Sequence, residues 1–90
     1  MTKEIYKEKG KSSIKQTHQH ELVLINDEVH SVDYVAEALI EACNHTIEQA
    51  IQCTLITHYK GKCDVMKGEL IRLKPARKLL VEKELRAIII

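Results

Sequence analysis

Hydrophobic residues recur along the chain in two patterns, a short continuous run and a helical spacing of three and four. The run at 22–25 contains β-branched valine and isoleucine and predicts a short buried strand. Asn26, Asp27 and Glu28 then end the strand, because Asn and Asp bond to their own backbone and tolerate turns. These three residues and His30 therefore share one tight strand-to-helix loop. Such a loop on a rigid scaffold suits a binding site, although acidic residues there also serve ordinary helix capping.

Two amphipathic helices follow, and their caps are visible in the sequence. Ser31 stands where an N-cap is expected, and apolar residues then recur at helical spacing to Cys43, which predicts a first helix from about Val32 to Cys43. Thr46 and Gln49 have the form of a capping box and open a second helix. That helix should end at Gly61, since glycine readily adopts the left-handed conformation after a C-terminus.

The rest of the chain predicts a strand, a helix and a final strand. Apolar and polar residues alternate at 62–65, which is typical of a half-exposed strand. A third helix is predicted at about 69–83, with Pro75 either kinking it or delaying its regular part to about Leu73. Residues 85–90 form the last strand, whose apolar end should be paired and covered.

The element order therefore predicts an α+β fold in one small domain. Its order is β-α-α-β-α-β, with a three-stranded antiparallel sheet packed against three helices. The core is expected at 21–90. Residues 1–20 are polar and lysine-rich, so we expect them to form a flexible N-terminal arm.

Charge and hydropathy narrow the range of partners. The net charge is +1, so a general nucleic-acid binder, which usually carries a basic excess, is not expected. No apolar run reaches transmembrane length and no signal-peptide core is present, so we expect neither membrane insertion nor export. The sequence therefore favours a cytoplasmic protein.

Reactive side chains do not assemble into a recognisable catalytic, metal or cofactor motif. Cys43, Cys53 and Cys63 form no C-x-x-C pair, and their predicted positions suit small buried apolar residues. His18 and His20 are too few to make a metal site on a flexible arm. We therefore expect no catalytic residue, no metal and no cofactor.

Three segments together resemble the ClpS family of protease adaptors. They are Leu24-Ile-Asn-Asp-Glu28, the capped Ile47-Glu-Gln-Ala50 segment, and His58-Tyr-Lys-Gly-Lys62. Their order and spacing match the family without a gap from Leu22 to Lys62, and the likeness continues more weakly to the C-terminus. The resemblance implies a recognition module and not an enzyme. ClpS proteins bind a destabilising, typically bulky hydrophobic N-terminal residue (an N-degron) and deliver its bearer to a AAA+ unfoldase, of the ClpA or ClpC type, that feeds the ClpP protease.

The resemblance also implies roles for individual residues. Asn26, Asp27 and His58 occupy the positions that hold the substrate's α-amino group. Glu69 and Lys74 match residues that family members present to the unfoldase. The family's side-chain pocket maps to Glu28, His30, Val32, Val35, Thr54, Thr57 and approximately Ile89.

Several pocket positions depart from the family pattern. Family members usually place methionine at Val32, an apolar residue at Thr54, valine at Thr57, and threonine and proline at His30 and Ser31. We therefore expect a wider and slightly more polar pocket, which still prefers bulky hydrophobic residues but discriminates less sharply among them. A second hypothesis is an interaction domain without a pocket, since the same fold resembles the C-terminal domain of the ribosomal stalk protein L7/L12.

Overall fold

Strands and helices follow one another in the predicted order along the part of the chain that the structure describes. The computed structural model describes residues 19–26 and 28–90. The α+β fold and its β-α-α-β-α-β order are confirmed. The elements are β1 His20–Ile25, α1 Val32–Cys43, α2 Ile47–Lys60, β2 Lys62–Gly68, α3 Leu70–Glu82 and β3 Arg86–Ile89.

β1 is the central strand of an antiparallel sheet with the order β2-β1-β3. Leu22 and Leu24 are fully buried against the helices, because alternate side chains of a strand share one face. β1 begins at His20, which pairs with Gly68, so this residue of the expected arm belongs to the sheet. Backbone pairing does not need an apolar side chain, which is why the apolar run alone placed the start too late. Residues 1–18 of the expected arm lie outside the described residues.

The caps of α1 and α2 fix where the loops beside the sheet begin and end. Ser31 Oγ accepts a hydrogen bond from the Tyr34 amide at 3.1 Å, which starts α1. Thr46 and Gln49 form a complete capping box, with hydrogen bonds of 2.9 and 3.1 Å. Gly61 has a φ of 92° and donates its amide hydrogen to the Thr57 carbonyl oxygen. Its left-handed conformation ends α2 and turns the chain directly into β2.

α3 tolerates Pro75 within its length. The helix begins at Leu70 and not near Leu73, with Glu69 as its N-cap. Pro75 has no amide hydrogen for the carbonyl of Ile71, four residues earlier. Ile71 is 76% exposed, so the turn of α3 that lacks this hydrogen bond faces solvent.

The core lies between the sheet and the three helices. Its largest fully buried side chains are leucines, and alanines on the helices allow close approach. Cys43 is buried, and burial raises the pKa of its thiol to about 11, whereas Cys53 and Cys63 are half-buried. Among the described residues, no helix has the length and apolar character needed to cross a membrane. The largest fully buried leucines of the core are Leu22, Leu24, Leu39, Leu73 and Leu80.

Candidate functional site

Asn26, the first residue after β1, is held by its backbone between two other elements. Its amide donates to the Gly61 carbonyl oxygen at 2.9 Å, just after α2. Its carbonyl oxygen accepts from Nη2 of Arg86, the first residue of β3, at 2.8 Å. Both backbone groups are therefore used structurally, and Asn26 also lines a cavity at this end of β1.

The C-terminal half of α2 supplies one wall of this cavity. Thr54, Thr57 and His58 share a helix face at spacings of three and four, and all of them line the cavity. Thr54 Oγ1 donates to the Ala50 carbonyl oxygen at 2.7 Å, and Thr57 Oγ1 donates to the Cys53 carbonyl oxygen at 2.8 Å. Because the hydroxyls bond back to the helix, the threonines present a wall that is less polar than their composition indicates.

The first turn of α1 and the loop before it supply the opposite wall. Val32 and Val35 line the cavity at a spacing of three. His30 lines it as well, and its ring stacks on Tyr34 with centroids 4.7 Å apart and planes 16° from parallel. The Tyr34 hydroxyl in turn donates to the Lys83 carbonyl oxygen at 2.8 Å, which ties this wall to the turn before β3.

The walls enclose a small open cavity. Its empty volume, including solvent at the mouth, is about 360 Å³. Because this volume includes solvent outside the walls, it is an upper limit on the enclosed space, which is too small for a folded peptide. Asn26 and His58 line the cavity together with apolar residues, and such a mixture is usual in a site that orients a ligand by a few polar contacts.

Most of the predicted pocket residues meet at this cavity, but two do not. Asn26, His30 and His58 line it, together with the two valines and two threonines described above. Glu28 is exposed and does not line it. Ile89 does not line it either, because the sheet register pairs Ile89 with Leu22. Leu22 lies four residues before Asn26, roughly 13 Å along an extended strand.

Leu85, which sequence reasoning did not predict, lines the cavity from the turn before β3. Arg86 pairs with Ile25, so the residue just before Arg86 reaches the end of β1 where the cavity lies. Leu24, Ile25 and Ser31 also line the cavity and were not predicted. The pairing register of β1 and β3 brings Leu85 to the cavity, and no local sequence motif specifies that register.

Three other predictions concern Asp27, the pair Glu69 and Lys74, and metal binding. Asp27 lies outside the described residues, so its predicted contact with an amine stays a prediction. Glu69 and Lys74 are both exposed at the start of α3, and the Glu69 side chain makes no cap hydrogen bond. Within residues 19–26 and 28–90, no group of three or more His, Cys, Asp or Glu is arranged to hold a metal ion.

Comparison with known proteins identifies the family. The family model described as "ATP-dependent Clp protease adaptor protein ClpS" matches residues 15–86. The chain belongs to the ClpS family. The matched stretch includes Asn26, Asp27 and His58, and also Glu69 and Lys74, but it ends before Ile89.

Individual ClpS relatives support the same assignment. The ClpS adapter protein of Vibrio cholerae serotype O1 is 33% identical over 79 residues, covering 86% of this chain and 74% of the relative. The ClpS adapter protein of Escherichia coli O1:K1 is 28% identical over 75 residues, covering 81% of this chain and 71% of the relative. The solved structure of Agrobacterium tumefaciens ClpS2 bound to L-phenylalaninamide aligns with a TM-score of 0.71 and 17% identity. That alignment covers 83% of this chain and 98% of ClpS2, which establishes a shared fold.

Proposed function

We propose that this ClpS-family adaptor binds substrate proteins through a bulky hydrophobic N-terminal residue, whose side chain enters the cavity between α1 and α2. The observation that supports the proposal is the placement of Asn26 and His58 beside apolar residues at one small open cavity. Delivery of the bound protein to an ATP-dependent Clp protease follows from membership of the family. A related protein, ClpS2 of Agrobacterium tumefaciens, binds L-phenylalaninamide, which has a free amine and an aromatic side chain.

The chemistry of an α-ammonium group explains why these side chains suit it. The group has three donors and no acceptor, so it needs acceptors on more than one side. The Asn26 side-chain oxygen and a neutral His58 nitrogen can both accept, and we assign the third acceptor to Asp27. Acid should weaken binding, because a protonated imidazole cannot accept a hydrogen bond from an ammonium.

Acetylation of the ligand tests this assignment directly. We would measure fluorescence anisotropy of labelled peptides that begin with Phe, with and without an N-terminal acetyl group. A hydrogen bond to a charged group contributes about 1.5–3 kcal/mol, so Asn26→Ala or His58→Ala should each weaken binding roughly tenfold or more. Lys60→Ala, which truncates an exposed side chain in the last turn of the same helix, is the matched control. Equal binding of the acetylated and free peptides would refute the assignment.

We assign Glu69 and Lys74 to docking on the unfoldase, and the unfoldase to the ClpA or ClpC type. Both residues are exposed on one end of α3, away from the cavity lining. Glu69→Lys combined with Lys74→Glu keeps the net charge but should abolish co-elution with the unfoldase. Glu82→Lys with Lys62→Glu makes an equal exchange at other exposed positions and should leave co-elution intact. Loss of peptide binding in the first variant would mean that the two functions are not separate.

The interaction domain without a pocket is not favoured, because the chain belongs to the ClpS family and has a cavity at the expected place. The proposal assigns recognition and no catalytic step. We place its action in the cytoplasm, where an ATP-dependent unfoldase has its nucleotide.

A further inference from the structure

A second groove runs along the outer edge of the sheet, between β3 and α3. β3 pairs with β1 alone, so its other edge has no neighbouring strand within the described part of the chain. Lys74, Arg77 and Lys78 border the groove from α3. Residues 88–90 border it from the strand.

The backbone of β3 offers hydrogen-bonding groups to this groove. Ile90 exchanges two hydrogen bonds with Glu21, of 3.0 and 2.9 Å. In an antiparallel ladder alternate residues point towards the same neighbour, so Ala87 and Ile89 direct their backbone groups to the outer edge. The Ala87 carbonyl oxygen accepts from Arg77 Nε at 2.8 Å. Ile89 directs both an amide hydrogen and a carbonyl oxygen outward, which is the pair that an added antiparallel strand requires.

The side chains along this edge divide into two chemical faces. Ile89 and Ala87 alternate with Ile88 and Ile90, which point to the opposite face of the sheet and are 45% and 62% exposed. The cations of α3 lie on the face that the helices cover. A strand added at Ile89 would therefore meet positive charge on one face and apolar side chains on the other.

Charge complementarity decides what can occupy the groove. No acidic side chain is among the described residues that line it, and three of them are cationic. Residues 1–18 contain more lysines than glutamates, so the chain's own N-terminal stretch would be repelled. A second copy paired edge to edge would bring like charges together.

We propose that this groove binds an extended acidic segment of a partner protein, which pairs with Ile89 and extends the sheet by β-strand addition. Carboxylates at alternate positions face Lys74, Arg77 and Lys78, and apolar side chains between them pack beside Ile88 and Ile90. The site needs no free α-amino group and does not involve Glu69. It is therefore separate from the degron pocket, and it overlaps the pair assigned to the unfoldase at Lys74.

Capped model peptides test the proposal without engaging the degron pocket. The probe is a labelled peptide of alternating Val and Glu, acetylated at its N-terminus and amidated at its C-terminus. We expect saturable binding at low salt that weakens as salt is raised, and no binding of the Val and Lys counterpart. A peptide of the same composition with the valines and glutamates in two blocks should bind more weakly, because it cannot present two different faces. N-methylation of alternate peptide amides should abolish binding when the methylated amides are the ones that face Ile89.

Variants of α3 separate the groove from general electrostatics. Lys74→Glu with Lys78→Glu should weaken the alternating peptide by roughly tenfold or more at low salt. Arg72→Glu changes an exposed cation on the same helix outside the groove and should have a small effect. Binding of a free-amine Phe peptide should not change in any of these variants, which also shows that they are folded. Failure of the wild type to bind the acidic peptide, equal binding of the block peptide, or indifference to N-methylation would overturn the proposal. So would concentration-dependent dimerisation through this edge.

Discussion

Val32 is the position at which the side-chain selectivity of the cavity can be tested most directly. It begins α1, lines the cavity and is 42% exposed. Val32→Met replaces a short β-branched side chain with a longer one and removes free volume from a space of about 360 Å³. That volume includes solvent at the open mouth, so the enclosed space is smaller, and the added side-chain atoms should affect which ligands fit.

The expected effect depends on where the ligand carries its bulk. Ile and Val branch at Cβ, beside the amine that we place near Asn26 and His58, whereas Phe and Leu are narrow there. Forcing extra atoms into a packed space costs about 1–3 kcal/mol. Since 1.4 kcal/mol corresponds to a tenfold change, N-terminal Ile and Val should bind roughly 5- to 100-fold more weakly to the variant. Phe and Leu should lose much less.

A peptide panel that differs only at the first residue measures this change. Fluorescence anisotropy with Phe, Leu, Ile and Val at that position gives the ranking for both proteins. Val29→Met is the matched control, because Val29 lies in the same loop region but is 85% exposed and does not line the cavity. An unchanged ranking in Val32→Met would show that Val32 does not control entry. Failure of the wild type to bind any hydrophobic N-terminus would refute the proposed site itself.

Three further expectations concern the threonine wall, the turn before β3 and the buried thiol. Thr57→Val should leave affinity for a Phe peptide nearly unchanged, because the threonine hydroxyl bonds to the Cys53 carbonyl oxygen. Thr57→Ser should weaken binding by about 0.8 kcal/mol, because it removes a methyl group from the cavity wall. Fluorescence anisotropy measures both affinities. Glu84 has a φ of 67°, a left-handed conformation that glycine adopts more easily than glutamate. Glu84→Gly should therefore raise the free energy of unfolding by about 0.5–1 kcal/mol in urea titrations. Glu82→Gly, within α3, should lower it. Burial raises the pKa of the Cys43 thiol from 9.0 to about 11, so between these values the unfolded chain loses a proton that the folded one keeps. The free energy of unfolding should therefore fall as the pH rises from 9 towards 11, and Cys43→Ala should flatten that slope in urea titrations.

The elements that sequence reasoning placed best are those governed by residues three or four positions apart. Ser31, the Thr46–Gln49 capping box and Gly61 each act on their own helix end, and α1 and α2 have the predicted bounds. The ClpS motifs found in the sequence also bring Asn26 and His58 to one cavity. The helix caps are encoded by neighbouring residues, and the approach of Asn26 and His58 is encoded by two motifs at a fixed spacing.

Among the residues that sequence reasoning missed, Leu85 depends on pairing between strands far apart in the chain, whereas Leu24, Ile25 and Ser31 are neighbours of predicted residues. Leu85 reaches the cavity only because Arg86 pairs with Ile25, and a strand's composition does not specify that register. Ile89 itself does not line the cavity, and its predicted role in binding stays a prediction. The hydrogen bond from Arg86 to the Asn26 carbonyl oxygen has the same origin, since it joins residues 60 positions apart.

The two backbone hydrogen bonds of Asn26 have a thermodynamic consequence. They tie the end of β1 to the residue after α2 and to the start of β3, so the cavity exists only when distant parts of the chain are folded together. A ligand in the cavity is therefore linked to the cooperative unfolding of the whole domain and not to the opening of one loop. At a concentration of 100 times its Kd, such a ligand adds about 2.7 kcal/mol to the free energy of unfolding. In a domain of this size each 1 kcal/mol shifts Tm by about 4–8 °C, so occupancy should be visible in thermal melts and should slow amide exchange in strands that never touch the ligand.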